Sequence, residues 1–406
     1  MQTPRPAVLF DDGKGLLAPM RDLRPIYDVR TGPLTIAERL TRALTLHPVA
    51  QFVPEGLAGL ASASMAPVND LDRSTGPLLL INGRCAMPIE AVAHLGEGSI
   101  LVEQSSGDVV AANLDAADAM TLFEHIYAGG PEPGFETAAI EEDVLLTRPW
   151  DVRRIRDLSI ELDLDLLAGN PVAPLPEGVV SIGLTTARVH PTAKLYPTCI
   201  LNTEGGPVVI DRDATIRPGA IIMGPAYIGP GTMVFEGAQI RPKTALGPVC
   251  KVSGEIAGTV MQGYSNKAHD GHLGDSWLGE WVNLGAATTV SNLLNTYGEV
   301  TSTAEPGGSR EQTGETFFGC VLGDHVKTAI GTRIMTGAIV HTGAMWADPA
   351  PMVGAIERFC WATDQARLKY KLERFLNTAR IVMARRRIEM GGRYEARIRA
   401  LHSGEG

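Results

Sequence analysis

The segment Lys267-Ala268-His269-Asp270-Gly271-His272-Leu273-Gly274-Asp275-Ser276-Trp277-Leu278-Gly279 gathers five ionisable side chains, two of them histidines. Val282-Asn283-Leu284-Gly285-Ala286-Ala287-Thr288 and Ser291-Asn292 follow closely. An imidazole has an unperturbed pKa of ~6.5, so a histidine here suits a base that takes a proton from an amine or hydroxyl attacking a thioester. Backbone N–H groups of a turn such as Gly285-Ala286 would receive the resulting oxyanion. Two other readings of the same residues are structural histidines on a regular coil, and a zinc site of the hydratase type. The zinc site would use His269 and His272 with a third ligand such as His325 or His341. Two histidines three apart on a β-coil point in diverging directions, which counts against a shared metal.

These residues need a scaffold, and the chain supplies one in its periodicity. An aliphatic residue falls on every sixth position through Ile210, Ile216, Ile222, Ile228, Val234, Ile240, Leu246 and Val252. A six-residue period fits neither a helix nor an alternating strand; it fits a coil with three flat faces. Small residues follow four positions later, as at Ala214, Ala220, Thr232 and Ala238, where a prism corner is narrow. The repeat resumes as Leu278, Leu284 and Val290, then Leu322, Thr328, Ile334 and Val340. Between Leu273 and Leu278 the step shortens to five, beside the ionisable cluster, and a local rule broken next to polar residues points to function. An antiparallel sandwich would need period-2 patterning instead.

The rest of the chain divides around this coil. From Ala7 to about Gly169, apolar runs (Ala7-Val8-Leu9-Phe10, Leu78-Leu79-Leu80-Ile81) alternate with helical stretches such as Thr35 to Leu46, which predicts an open, largely parallel α/β sheet. A helix is expected after Arg148-Pro149-Trp150-Asp151, running to Leu167. A polar insertion at 295–314 is expected to project as a loop from a corner of the coil. After Gly354 the residues are helix formers rich in arginine (Arg380, Arg385, Arg386, Arg387, Arg393, Arg397, Arg399), expected to form a solvated cap over the end of the coil. The expected domains are therefore 1–175, α/β; 176–350, a left-handed parallel β-helix; and 351–406, a basic helical tail.

Composition narrows the partners. A net charge of -10 argues against a nucleic-acid-binding body. Five cysteines lack any CxxC spacing, so neither a disulfide framework nor a zinc knuckle is indicated, and a reducing cytoplasm is expected. Met1 to Gly13 lacks the pattern of a signal peptide, and no stretch reaches the ~18 apolar residues of a membrane span. No membrane partner is expected.

The pattern K-A-H-D-G-H-L-G-D-x-x-L-G, then V-N-L-G-A and S-N, resembles the acetyltransferase half of the bifunctional bacterial glucosamine-1-phosphate N-acetyltransferase/N-acetylglucosamine-1-phosphate uridyltransferase family. The resemblance spans roughly 100 residues and implies acetyl-CoA as cosubstrate and a hexosamine 1-phosphate such as glucosamine 1-phosphate as acceptor. It makes His269 the catalytic base, with Asn283 beside it. Arg241 of Ile240-Arg241-Pro242, Lys267, His272 and Asn292 become substrate contacts, and Ala286 and Thr328 acyl or coenzyme contacts. It also implies a homotrimer, with coenzyme between neighbouring coils. The chain departs from the family at Ala257, where a Lys is expected, at Ile330 for a Ser and at Leu293 for a Tyr.

A weaker resemblance links Leu9 through Leu34 to the signature loop of sugar nucleotidyltransferases. It implies transfer of a nucleotide from a nucleoside triphosphate, with Mg²⁺, to give a UDP- or dTDP-sugar. Such a Gly-rich loop cradles phosphate through backbone N–H groups. Asp12, Gly13, Gly15, Arg21, Arg24 and Arg30 are the nucleotide-binding candidates, although Leu16 and Ile26 stand where the family has Arg and Lys. An N-terminal domain that binds without catalysing, leaving one active half, is the alternative.

Overall fold

The computed structural model describes residues 3–62, 64–72, 76–130 and 134–405. The chain forms two compact units: residues 1–17, 23–29 and 34–147 make one; 18–22, 30–33 and 148–406 make the other.

The first unit is built on a six-stranded sheet of β1 (Arg5–Phe10), β2 (Leu46–Phe52), β3 (Leu78–Asn82), β4 (Ser99–Glu103), β5 (Val109–Leu114) and β6 (Glu136–Ile140), in the order β2-β1-β3-β5-β4-β6. Ala7 to Phe10 are fully buried, as expected of a central parallel strand covered on both faces. The sheet is mixed rather than largely parallel: β5 runs antiparallel to both β3 and β4. Only five residues link β4 to β5, and so short a connection can join only antiparallel strands. The first helix is shorter than its periodicity suggested. It spans α1 (Ile36–Ala43), starting at a capping box in which Thr35 and Glu38 each satisfy the other's backbone N–H. It stops because Thr45 takes a positive φ of 52° and Leu46 opens β2. Two single-turn helices follow, α2 (Glu55–Ala58) and α3 (Glu90–Ala93), then α4 (Ala116–Ala128). Phe123 of α4 stacks on Phe52 at 3.9 Å and meets Phe10 edge-on, closing the core over the sheet.

The second unit is the three-faced coil. Ile222 pairs with Ile240, Ile228 with Leu246 and Val234 with Val252, all in parallel, so three six-residue steps complete one turn. The aliphatic residues from Ile216 to Val252 are fully buried, and Ile210 is 1% exposed. The coil continues beyond residue 350 through Ala355–Ile356 and Cys360–Ala362, and closes with the antiparallel strand Arg367–Lys369. Helix α5 (Asp151–Leu166) packs within this unit, as do α6 (Leu372–Ala384) and α7 (Gly392–Ser403) at its C-terminal end. The terminal helices are more than a solvated cap: Phe375, Leu376, Ala379 and Met383 are buried, and Arg380 and Arg399 pair with Glu395. The 295–314 insertion folds back instead of projecting. It forms a small antiparallel pair, Thr301–Ser302 with Glu311–Gln312, and Ser302 donates to the Gly337 carbonyl at 2.7 Å.

One inward position breaks the aliphatic rows. Lys267 pairs beside Val252 and is 1% exposed, so an ammonium group sits where the row calls for an apolar side chain. Its Nζ donates to the carbonyls of Ser253, His269 and Asp270. Burial pushes its pKa down to about 8, against the opposing pull of Asp270.

Ile228→Ala should cost about 2–5 kcal/mol by denaturant unfolding, whereas Ile330→Ala, at a position 79% exposed, should change stability by less than about 0.5 kcal/mol. Equal effects would sink the assignment of the inward row as core. Lys267→Met tests the buried ammonium. With its folded pKa near 8 and the ordinary lysine value at 10.5, the unfolded chain binds more protons between those values. Wild-type stability should therefore rise relative to Lys267→Met as pH climbs from about 7.5 to 10. Parallel urea melts at the two pH values read this directly, and a pH-independent difference would contradict the burial account.

Candidate active site

One face of the coil stacks Gln239–Ile240, Glu255–Ala257 and His272–Gly274, with Gln239, Glu255 and His272 in register. That register aligns side chains far apart in sequence. Arg241 Nε donates to Glu255 Oε1 at 3.0 Å, and the other Glu255 oxygen lies 3.7 Å from His272 Nδ1. Gly274 keeps the ground above the imidazole open: a methyl there would lie 2.5 Å from His272 Nε2 and 2.7 Å from Asn292 Nδ2. The Asn292 amide donates to Asp275 Oδ2 at 2.8 Å, while Asp275 Oδ1 accepts from Arg156 Nη1 at 2.7 Å and faces Arg153 at 3.4 Å. Both arginines come from α5. His272 thus has a carboxylate on its Nδ1 side, which can orient an imidazole. The Arg241–Glu255 pair is about two-fifths exposed on both sides, so it is weak enough to exchange for a phosphate.

His269 lies in the corner that precedes this face, and it is exposed. The corner at 269–271 stacks on that at 285–288, since a methyl at Gly271 would lie 2.3 Å from the Thr288 carbonyl oxygen. The next corner stacks above in turn: a methyl at Gly285 would lie 2.5 Å from the Ala329 carbonyl oxygen. The Gly331 N–H donates to the Ala286 carbonyl at 2.8 Å. Successive corners of one prism edge therefore carry His269, Ala286 and Ile330.

Asn283 lies on the face before that edge, bridged in parallel to Asn266 and Lys327, and its Oδ1 accepts from Asn266 Nδ2 at 3.2 Å. Arg241, His272 and Asn292 flank the edge on one side and Asn283 on the other. Two candidates point elsewhere. Lys267, expected to contact substrate, is directed into the coil with its ammonium held by three carbonyls. Thr328, expected to contact the acyl group or coenzyme, is 8% exposed; its Oγ1 lies 2.9 Å from Thr288 Oγ1 and accepts from the Gly285 N–H.

Sequence reasoning missed Glu255, Asp275, Arg153 and Arg156. Asp275 lay within the motif itself. Glu255 becomes a neighbour of His272 only through the register of the coil, and no local signal ties a helix at 151–166 to it.

The N-terminal loop has its own chemistry. Gly13 and Gly15 adopt φ of 74° and 79°, which favour glycine. The N–H groups of Gly13 and Lys14, expected to face a phosphate, donate instead to the carboxylates of Asp11 and Asp12, each at 3.0 Å. Asp12 also accepts from Asn82 at 2.8 Å and from Arg84 at 2.6 Å, and Arg84 reaches Asp108 as well. Asp12 and Asp108 thus share one buried guanidinium, a poor donor set for Mg²⁺. Arg24 is buried within this first unit. Arg21 and Arg30 belong to the second, where the Arg30 carbonyl accepts from Trp277 Nε1 at 2.9 Å.

The zinc set does not assemble. Among the described residues, no three His, Cys, Asp or Glu side chains converge on a point. His325 lies 3.0 Å from the Tyr394 hydroxyl, and His341 lies 3.0 Å from the Ala304 carbonyl.

Residues 7–170 match the family model for sugar nucleotidyl transferase. The bifunctional sugar-1-phosphate nucleotidylyltransferase/acetyltransferase of Sulfurisphaera tokodaii is 36% identical over 134 residues, 32% of this chain and 33% of that protein. The bifunctional protein GlmU of Rhodococcus jostii is 28% identical over 176 residues, 41% of this chain and 31% of that one. GlmU of Sorangium cellulosum is 25% identical over 244 residues, 58% and 47% of the two chains. The chain spans about a third of the length of the first two relatives and under half of the third. A solved acetyltransferase domain of PglB from Neisseria gonorrhoeae, in complex with acetyl coenzyme A, covers 68% of this chain and all of its own, at 11% identity; its TM-score of 0.18 is too low to bear on fold or function. The chain therefore resembles the bifunctional nucleotidyltransferase/acetyltransferases, and its residues 7–170 match the sugar nucleotidyl transferase family.

Proposed function

We propose that this chain is a transferase that moves an acetyl group from acetyl-CoA to the amine of a hexosamine 1-phosphate. The same protein would transfer a nucleotide to the sugar phosphate through its N-terminal domain. The observation that carries the acyl-transfer reading is the prism edge with exposed His269 one coil below Ala286. The acceptor would lie beside it, its phosphate on Arg241 in exchange for Glu255, its hydroxyls on His272 and Asn292. His269 takes a proton from the amine nitrogen as that nitrogen attacks the thioester carbonyl. The tetrahedral oxyanion meets backbone N–H near Ala286, the C–S bond breaks as the amide forms, and the proton returns to the departing thiolate. An edge exposed in one chain suits a site completed by a second, so we place this activity in a homotrimer. Five free cysteines fit a cytoplasmic setting.

The N-terminal half has a second reading that its loop favours. With Asp11 and Asp12 already on the N–H groups of Gly13 and Lys14, and Arg84 already on Asp12 and Asp108, the loop is a closed, charge-satisfied turn. On that reading the domain does not catalyse and one half alone is active. Pyrophosphate release from UTP with N-acetylglucosamine 1-phosphate and Mg²⁺ decides between the two.

Thiol release from acetyl-CoA with glucosamine 1-phosphate should fall about 10²–10⁴-fold in kcat for His269→Ala, with the acceptor KM little changed. His272→Ala should act mainly on the acceptor KM. A kcat collapse in His272→Ala with His269→Ala near wild type would transfer the base to His272. A sedimenting monomer with full activity would remove the trimer.

A further inference from the structure

On the coil face that carries Asn266, Asn283 and Lys327, helix α6 and the residues that follow it close a cavity of about 220 Å³. Lys327, Arg385, Arg386, Asn283, Tyr264 and Trp281 line it, and among the described residues no carboxylate does. Its cations are poorly compensated. Lys327 makes one hydrogen bond, to the His325 carbonyl at 3.1 Å, leaving two of three ammonium donors unassigned, and burial alone pushes its pKa down to about 8. Arg386 Nη2 donates to Asn266 Oδ1 at 2.8 Å, but its buried Nε–H has no partner among the described residues. Burial and the neighbouring Arg385 both lower the Arg386 pKa. Lys251, paired beside Asn266 one coil earlier, is lowered by burial and by the same two arginines. The carboxylate felt in this region, Glu280, acts on Tyr264 and Cys250 rather than on Lys327 or Arg386.

Lys327 and Arg386 are half-buried and Arg385 stands exposed at the mouth of the cavity, and like charges gathered with reduced access to water are costly unless an anion joins them. Arginine forks and an ammonium around a small cavity are the donors that phosphate oxygens accept from. Tyr264 and Trp281 stack at 4.5 Å and 19° to form an aromatic wall beside the cations. We propose that this cavity binds a phosphate or pyrophosphate group, held by Lys327, Arg385 and Arg386. The proposal does not depend on acyl transfer, because none of these three cations has been given a role in that reaction.

The test is calorimetric titration of the full chain, at fixed ionic strength, with inorganic phosphate, pyrophosphate and adenosine 3′,5′-bisphosphate in turn. At least one should saturate with a Kd below about 1 mM. Arg385→Gln and Lys327→Met should each weaken it by about tenfold or more, with Arg333→Gln, elsewhere on the surface, unchanged. Tightest binding of pyrophosphate would identify a free inorganic ligand; tightest binding of the bisphosphate would identify a coenzyme or nucleotide whose ring meets the aromatic wall. Thermal melting guards against misfolding. Without ligand, Arg385→Gln should melt no lower than wild type, since it removes a repelling charge, and it should lose the ligand-induced rise in Tm seen in wild type. Failure of all three probes to saturate, or equal weakening in Arg333→Gln, would overturn the proposal.

Discussion

The coil exists because each of its faces must send an apolar side chain inward at every step. Ile210 to Val252 meet that demand with almost no exposed surface, and the parallel pairing of Ile222 with Ile240 or Val234 with Val252 follows from it. Once the inward positions are pinned, the outward ones have no freedom of register. Arg241, Glu255 and His272 meet across three coils for this reason alone, and the corners that bear His269 and Ala286 stack for the same reason.

The rule is relaxed where the polar chemistry collects. The step from Val252 to Ile256 is four residues and that from Ile256 to Met261 is five, so the turns shorten before the ionisable segment begins. Lys267 then takes an inward slot, and its ammonium gathers the Ser253, His269 and Asp270 carbonyls that the irregular corner leaves unpaired. A buried charge is tolerable there because three acceptors meet it, beneath an exposed histidine. Gly274 contributes by omission, leaving room for the His272 and Asn292 side chains to approach each other.

The regular part of this design was legible in sequence, because a period-six row of aliphatic residues has one structural solution. The irregular part was only half legible. The five-residue step at Leu273–Leu278 was visible, but the inward place of Lys267 was not, because a lysine there breaks the aliphatic row. In the N-terminal domain, Ala7–Phe10 announced a buried strand, while the antiparallel β5 and the early end of α1 depended on a short hairpin and on the positive φ of Thr45. Asp12 read as a ligand for a nucleotide because a sequence does not show that its carboxylate is taken by the Lys14 N–H two residues onward and by the Arg84 guanidinium 72 residues away. Arg153 and Arg156 were out of reach for a different reason: helix periodicity tells which face is apolar, not which distant acid a charged face will meet.

Helix α5 belongs by sequence to the segment that matches the nucleotidyl transferase family, yet its arginines neutralise Asp275 and hold the Gly258 carbonyl of the coil. The border of ancestry and the border of folding therefore do not coincide in this protein. A coil inherited without α5 would carry an acid stripped of its counter-charges next to Asn292. Recombination that shuffles these two modules has to cut upstream of the helix, near residue 147, and carry α5 along with a partner to which its sequence family does not assign it.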